Sequence, residues 1–450
     1  LRAATVFGAM RGLDTLSQLL RPVDATAHLA SAAPLLIRDA PRVPHRVPHR
    51  GLLLDTSRHY FPEETIRSVV DGIAAAKLNV LHWHMVDAQS FPFSTQETRD
   101  LAAGGAYSPH HVYDEAAIAR IVAYARARGV RVVPEFDLPG HTFSSLDLIK
   151  KIGEETVVCA DMHPYQPYGA SPPTGQLHPT SSADVVKRVV AAAVRVFPDA
   201  YLHLGHDEIN GKCWQAFNGG DTARTLVQFH DAVLRPALAS AAPLDGRKEK
   251  KKKIMIWEEP IVEYDLDRAN ATRGLFDVVQ LWRTGAPEVV RRVQAAGMQV
   301  VISDANSWYL DCGFGGWLTD GSPEDLGWCK MRPWQAIYAA DPFTPLNLPP
   351  PVTSLASATL DISPTAVLGG EVAMWAEMTD QENVASKVFP RALAFAERAW
   401  SPSDSTSSIS AHTVRRLSDA RIRLLVVRGV AAGPVQPAWC AGREDHCAFI

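Results

Sequence analysis

Between residues 50 and 400 the chain repeats one rhythm: a short β-branched or apolar run, then a segment of helical period, then another short run. The runs at 51–54, 80–85, 130–136, 200–204, 253–257, 278–282, 299–303 and 366–370 are the candidate strands. Short apolar runs alternating with helical patterns read as βα units of a parallel sheet. About eight such units is the number at which a parallel sheet closes into a barrel that its own side chains fill. Helical patterns at 63–76, 114–128, 183–196, 225–239, 287–296 and 390–400 supply crossovers of adequate length. The pattern therefore predicts an α/β fold, a (β/α)8 TIM barrel. Residues 1–48 precede it, with an amphipathic helix around 10–20 and a Pro-rich stretch at 41–48 that reads as a linker from the end of another domain. Residues 49–450 hold the barrel, a closing helix and a tail.

Composition narrows the function classes. With 46% hydrophobic residues the chain buries a large core, and its formal net charge of -4 with one local Lys-rich run at 247–253 argues against a nucleic-acid partner. No apolar run approaches the roughly 18 residues of a membrane helix. Residues 1–20 contain no cleavable apolar region, and the abrupt start reads as a processed or truncated form. Six cysteines, Cys159, Cys213, Cys312, Cys329, Cys440 and Cys447, form no CxxC pair and no Cys/His cluster at zinc spacing. They fit three disulfides and an oxidising compartment, with buried free thiols as the other reading. Asn270-Ala271-Thr272 is a glycosylation acceptor and tilts the balance toward secretion.

Barrel enzymes carry their chemistry at the carboxyl ends of strands. In strand order those ends hold Arg58; His84 and Asp87; Glu135, Asp137 and His141; Asp207 and Glu208; Trp257; Trp282; Trp308, Tyr309 and Asp311; Glu371, Trp375 and Glu377. Carboxylates, one arginine and several indoles suit a sugar pocket, because aromatic faces stack on pyranose C–H faces and charged groups bind hydroxyls directionally. Neither a GxxxxGK[ST] nor a GxGxxG follows a strand, so no phosphate cradle is expected. Glycosidic cleavage needs an acid for the leaving oxygen and a stabiliser of the oxocarbenium-like transition state. On an extended segment the adjacent Asp207 and Glu208 point apart and cannot flank the bond as acid and nucleophile. The difficulty vanishes if the substrate's own 2-acetamido carbonyl attacks, Glu208 acting as acid while Asp207 orients the acetamido nitrogen.

The segments Arg50-Gly-Leu-Leu-Leu-Asp-Thr-Ser-Arg-His-Tyr60, Asn79-Val-Leu-His-Trp-His-Met-Val-Asp87, Pro134-Glu-Phe-Asp-Leu-Pro-Gly-His141, His203-Leu-Gly-His-Asp-Glu208 and Gly370-Glu-Val-Ala-Met-Trp-Ala-Glu377 resemble family 20 glycoside hydrolases, the β-N-acetylhexosaminidases. The resemblance runs along the whole chain in family order. It implies a retaining, substrate-assisted exo-hydrolase of terminal β-linked GlcNAc or GalNAc, with no cofactor and no metal. Glu208 and Asp207 would be catalytic. Arg58 would bind the hydroxyls at carbons 3 and 4 of the sugar, and Glu377 those at carbons 4 and 6. Trp257, Trp282 and Trp375 would wall the pocket, with Tyr309 donating to the acetamido oxygen and Asp311 at the sugar rim. Asp87 and His141 would form a relay behind Glu208 that raises its pKa once substrate is loaded, giving an acidic optimum.

The same resemblance implies the pairs Cys159–Cys213, Cys440–Cys447 and Cys312–Cys329, and makes residues 1–48 the remnant of a small α/β domain. It suggests a secreted, vacuolar or lysosomal location and leans toward a homodimer packed through the C-terminal half of the barrel. One position departs from the family: His206 stands where a second glycine precedes the Asp-Glu pair, and it either crowds the pair or faces outward. Two rivals are a lectin-like barrel that has lost turnover and a metal-dependent hydrolase built on His82, His84 and Asp207. The second is disfavoured because no third histidine is evident beside that pair.

Overall fold

A computed structural model describes residues 1–22, 28–30, 36–41, 47–145, 156–241, 251–268, 271–283, 286–318, 327–340, 362–363, 365–401, 409–440 and 443–447 of the chain. Eight strands form a closed barrel: β1 (His49–Asp55), β2 (Val80–Val86), β3 (Arg131–Phe136), β4 (Tyr201–His203), β5 (Lys253–Trp257), β6 (Val278–Leu281), β7 (Gln299–Ile302) and β8 (Val367–Met374). Each pairs in parallel with the next, and β8 closes on β1 from Gly369↔His49 to Met374↔Leu54.

The strands read as unbroken apolar-looking runs because both faces are covered. In β2, Leu81, Trp83 and Met85 face the outer helices, while Val80, His82 and His84 alternate with them and line the barrel. The interior is layered. Val80, Val133, Met255, Val278 and Val301 fill the amino-terminal end. A charged layer follows, and above it Leu53, Trp257, Tyr309, Ala373 and Trp375 form an aromatic layer at the carboxyl ends.

Helices start where the sequence signals them. Glu63–Ala75 follows Pro62 with Glu63 and Glu64 in its first turn, the acidic placement a helix dipole favours. Glu115–Arg126 is capped by Asp114, whose carboxylate accepts from the Ala117 N–H. The amino-terminal helix, Val6–Leu19, begins earlier than its apolar period suggests because Thr5 caps it, and a two-stranded antiparallel pair follows. Arg11 ties this helix to the barrel by donating to the carbonyls of Ala74 and Arg128. Two further elements differ from expectation. β8 runs on to Met374, because Gly370-Glu-Val-Ala-Met keeps strand alternation after the expected end. The helix expected at 225–239 is Thr222–Phe229, then a π-helical turn His230–Leu234, then Arg235–Ser240.

Candidate active site

At the carboxyl ends of the strands lies a pocket of about 520 Å³ lined by Arg58, His141, Asp207, Glu208, Trp257, Trp282, Tyr309, Asp311, Trp375 and Glu377, among others. The expected site residues thus converge on one cavity of a size suited to a small ligand. Asp87 lies just beneath.

Glu135, His84 and Glu371 lie below the pocket, inside their strands and fully buried, Glu371 where a loop was expected. With other side chains of the interior they form a ladder in which imidazoles alternate with carboxylates. His49 Nε2 is 2.7 Å from Glu371 Oε2, and the other Glu371 oxygen is 2.7 Å from His82 Nδ1. His82 Nε2 reaches Glu135 Oε2 at 3.1 Å, and the same oxygen meets His84 Nδ1 at 2.6 Å. His84 Nε2 reaches Asp87 at 3.1 Å, Asp87 meets His141 Nδ1 at 3.2 Å, and His141 Nε2 lies 3.2 Å from Glu208 Oε2. Gly51 makes the ladder possible, since a Cβ there would sit 2.2 Å from Glu371 Oε2. His203, hydrogen-bonding distance from Glu135 at 3.1 Å, is the third histidine that the sequence reading does not find; β4 lies beside β3 and brings it to within 4.8 Å of the His82 ring. Burial works against the charge on His82, but Glu371 and Glu135 outweigh that and raise its pKa to about 9.

Asp207 and Glu208 do not sit on an extended segment. β4 ends at His203, and within the next five residues Gly205, His206 and Glu208 take positive φ values of 63°, 77° and 49°. This tight turn swings both carboxylates toward His141 Nε2, at 3.8 Å for Asp207 and 3.2 Å for Glu208. The premise that neighbours must diverge fails here, although the two still share one side of the pocket. Gly205 is required twice over, by its φ of 63° and because a Cβ would meet Asp137 Oδ1 at 1.7 Å. His206 turns away from the pocket. It is fully buried against Phe229, His230 and Phe276, so it does not crowd the pair.

The charges are unequal. His141 is an imidazolium: burial opposes the charge, but Asp87 and Asp137 overcome it and hold its pKa well above the usual range. Burial pushes the Glu208 carboxyl up, yet the His141 hydrogen bond and charge, with Arg58, outweigh it and leave it below the ordinary value. Asp207 goes the other way, to about 6, through burial above all and then Glu135 and Glu208, against the pull of His141. Asp311 is raised to about 8 by burial and Glu377, and its Oδ1 is buried without a partner among the described residues.

Arg58 is held on three sides, by Asp87 at 2.8 Å, Asp55 at 3.1 Å and Gln89 Oε1 at 3.0 Å, and lies over the Trp375 ring at 5.1 Å. The indoles are fixed through their N–H groups: Trp257 Nε1 donates to Glu135 at 2.7 Å and Trp282 Nε1 to Glu259 at 3.0 Å. Trp282 stacks on Tyr309. Trp308 instead packs on Phe395 in the core. Sequence reasoning misses Asp55, Gln89 and Glu259, which lie one step behind the pocket, and Trp317 and Trp328 at its mouth. The glycines at 313, 315, 316 and 327 around those two indoles were the available signal. Cysteines pair as Cys159–Cys213, Cys312–Cys329 and Cys440–Cys447. Asn270 and most of the Lys-rich run lie outside the described residues.

Comparison with known proteins points one way. A family model described as glycosyl hydrolase family 20, catalytic domain, matches residues 47–403. A chitooligosaccharidolytic β-N-acetylglucosaminidase of Ostrinia furnacalis is 31% identical, over 99% of this chain and 71% of its own length. A probable β-hexosaminidase of Drosophila melanogaster is 33% identical over 99% of this chain and 64% of its own, and the human β-hexosaminidase subunit beta is 32% identical over 98% and 70%. Among solved structures, a chitobiase of Flavobacterium johnsoniae superposes with a TM-score of 0.67 at 26% identity, covering 94% of this chain and 57% of that one.

Proposed function

This chain belongs to glycosyl hydrolase family 20, and from that premise we propose that it is an exo-acting β-N-acetylhexosaminidase, releasing terminal non-reducing β-linked GlcNAc or GalNAc with retention and with the substrate's acetamido group as nucleophile. One observation carries the reading: Asp207 and Glu208 lie side by side on one turn and share one imidazolium. Two groups on the same side of the pocket cannot serve as opposed acid and nucleophile. They can act together on a leaving oxygen and on an acetamido group that lies beneath the ring.

In this reading Glu208 protonates the leaving oxygen and then deprotonates the attacking water, while Asp207 accepts from the acetamido N–H as positive charge grows on the oxazolinium. Tyr309 donates to the acetamido oxygen. Trp257, Trp282 and Trp375 exclude water around the ring, Arg58 and Glu377 fix hydroxyls at carbons 3, 4 and 6, and Asp311 meets the sugar rim. The free protein favours the wrong partition of one proton, with Asp207 held up at about 6 and Glu208 held down. Sugar binding corrects it: the acetamido N–H stabilises ionised Asp207, and exclusion of water favours neutral Glu208. The expected upward shift of Glu208 is therefore a property of the loaded site, opposite to its direction in the empty one.

Since the reactive form carries one proton on the pair, kcat/KM peaks between the two steps of the coupled titration, on the acid side of about pH 6. That profile and three disulfides suit a secreted, vacuolar or lysosomal setting. We read residues 1–48 as the remnant of a small α/β domain ahead of the barrel. Hydrolysis of chromogenic β-GlcNAc and β-GalNAc substrates by the wild type and Glu208→Gln, with a thiazoline inhibitor, tests the assignment. Turnover abolished by the substitution and by the inhibitor supports it, and the ratio of the two rates gives the epimer preference. Tight inhibitor binding without turnover would make the barrel a sugar-binding protein instead.

A further inference from the structure

His206 is bound in a way that a glycine in its place could not be. Its φ of 77° lies in the left-handed region, a conformation that costs a residue with a Cβ about 1–2 kcal/mol. The imidazole has two anchors: Nδ1 is 2.8 Å from the Leu204 carbonyl and Nε2 is 3.2 Å from Nε2 of His230. His230 opens the π-helical turn His230–Leu234, an irregularity that lets a helix re-aim a side chain.

Proton bookkeeping fixes the tautomers. A carbonyl only accepts, so His206 Nδ1 carries its hydrogen and Nε2 is bare; His230 Nε2 must then donate to it. His230 Nδ1 is bare as well and has no partner among the described residues. A second proton has nowhere to go. On His206 it would either set N–H against N–H or drive the His230 hydrogen onto Nδ1, and on His230 it would likewise fill Nδ1, which is fully buried without an acceptor among the described residues. The charged or titratable groups that bear on the two rings are His203 from β4 and Arg235 from the helix after the π turn; Phe229 and Phe276 close the remaining sides. None of these is a carboxylate. Burial accordingly pushes His206 down to about 3, and burial, His206 and Arg235 push His230 down too.

We propose that His206 is a positioning residue for the carboxylate pair: latched to His230, it holds the left-handed turn that aims Asp207 and Glu208, and the latch closes only while both rings are neutral. The proposal rests on the roles given to those two carboxylates above.

The test compares kcat, KM and thermal unfolding against pH for the wild type, His230→Ala and His230→Gln. Alanine leaves His206 Nε2 without a donor, and kcat should fall about tenfold near pH 6, the worth of one buried hydrogen bond, with KM within about twofold. Glutamine places an amide N–H near the site of Nε2 and cannot ionise, so kcat should be restored. The ratio of its kcat to that of the wild type should stay level from pH 6.5 to pH 4 and climb about twofold by pH 3, where His206 takes its second proton, titration of the carboxylate pair being common to both and cancelling in the ratio. The glutamine variant should also take up about one proton fewer on unfolding over that range. Equal behaviour of the alanine and glutamine variants, or a ratio still flat at pH 3, would overturn the latch. Absence of wild-type turnover at every pH would sink the hydrolase reading instead, and the latch would stand or fall on the unfolding data: equal proton uptake in wild type and glutamine variant would dismiss it.

Discussion

At the scale of single residues the site is governed by how charge is shared around His141. Glu208→Gln should lower kcat by about 10²–10⁴, the usual worth of a general acid, and Asp207→Asn by about 10²–10³, the cost of losing a preorganised electrostatic partner; chromogenic assays read both. His141→Gln removes a cation that favours the ionised form of each carboxylate. Both pKa values rise without it, so the alkaline limb of kcat/KM should move to higher pH, and a limb that stays put would contradict the role given to the imidazolium. Many of these residues were legible in the sequence, because Arg58, Asp87, His141, Asp207, Glu208 and Glu377 stand in segments whose order is specific. Their charges were not legible. Whether Asp207 is raised or lowered depends on Glu135 and on burial, and neither can be read from neighbours in the chain.

At the scale of elements, the turn after β4 does the most with the fewest residues. Gly205→Ala should destabilise the fold by about 2–4 kcal/mol, from strain at positive φ together with the clash on Asp137, and should abolish turnover even where the protein still folds. Calorimetry and the same assay check it. The loop after β7 is braced by Cys312–Cys329, which joins the aromatic wall that holds Tyr309 and Trp375. Replacing both cysteines by serine should cost about 3 kcal/mol by loop-closure entropy and raise KM more than it lowers kcat. Helices and strands were foreseen well because their periods differ and their caps are explicit, as with Asp114 and Glu63. The turn was not, since nothing in Leu-Gly-His-Asp-Glu distinguishes an extended exit from a left-handed one. β8 overran its expected end for a related reason: Glu371 reads as a loop residue until its partners His49 and His82, more than 280 positions earlier, are known.

At the scale of the whole molecule, stability and activity should have different pH optima. His49, His203, His206 and His230 have lowered pKa values. Their contribution is full above an unfolded value of ~6.5 and is lost as pH falls below it. The depressed carboxyls Glu371, Glu135 and Asp87 add to the acid loss at lower pH still. His82 works in the opposite sense: raised to about 9, it stabilises fully below ~6.5 and its contribution fades as pH climbs through 9. Melting temperature should therefore peak near neutrality and fall on both sides, while turnover peaks at more acid pH; coincident maxima would refute the assignment. The barrel was legible from eight alternating runs, but its charged interior was not, because a histidine on a strand looks the same whether it faces a carboxylate or the outer helices. That interior also constrains descent. Every rung of the ladder from Glu371 to Glu208 balances the next, so loss of one leaves a buried charge exposed to its own cost, about 3–5 kcal/mol. Lineages that drift here must drift in pairs, and in an alignment Glu371 should vary only where His49 or His82 varies with it.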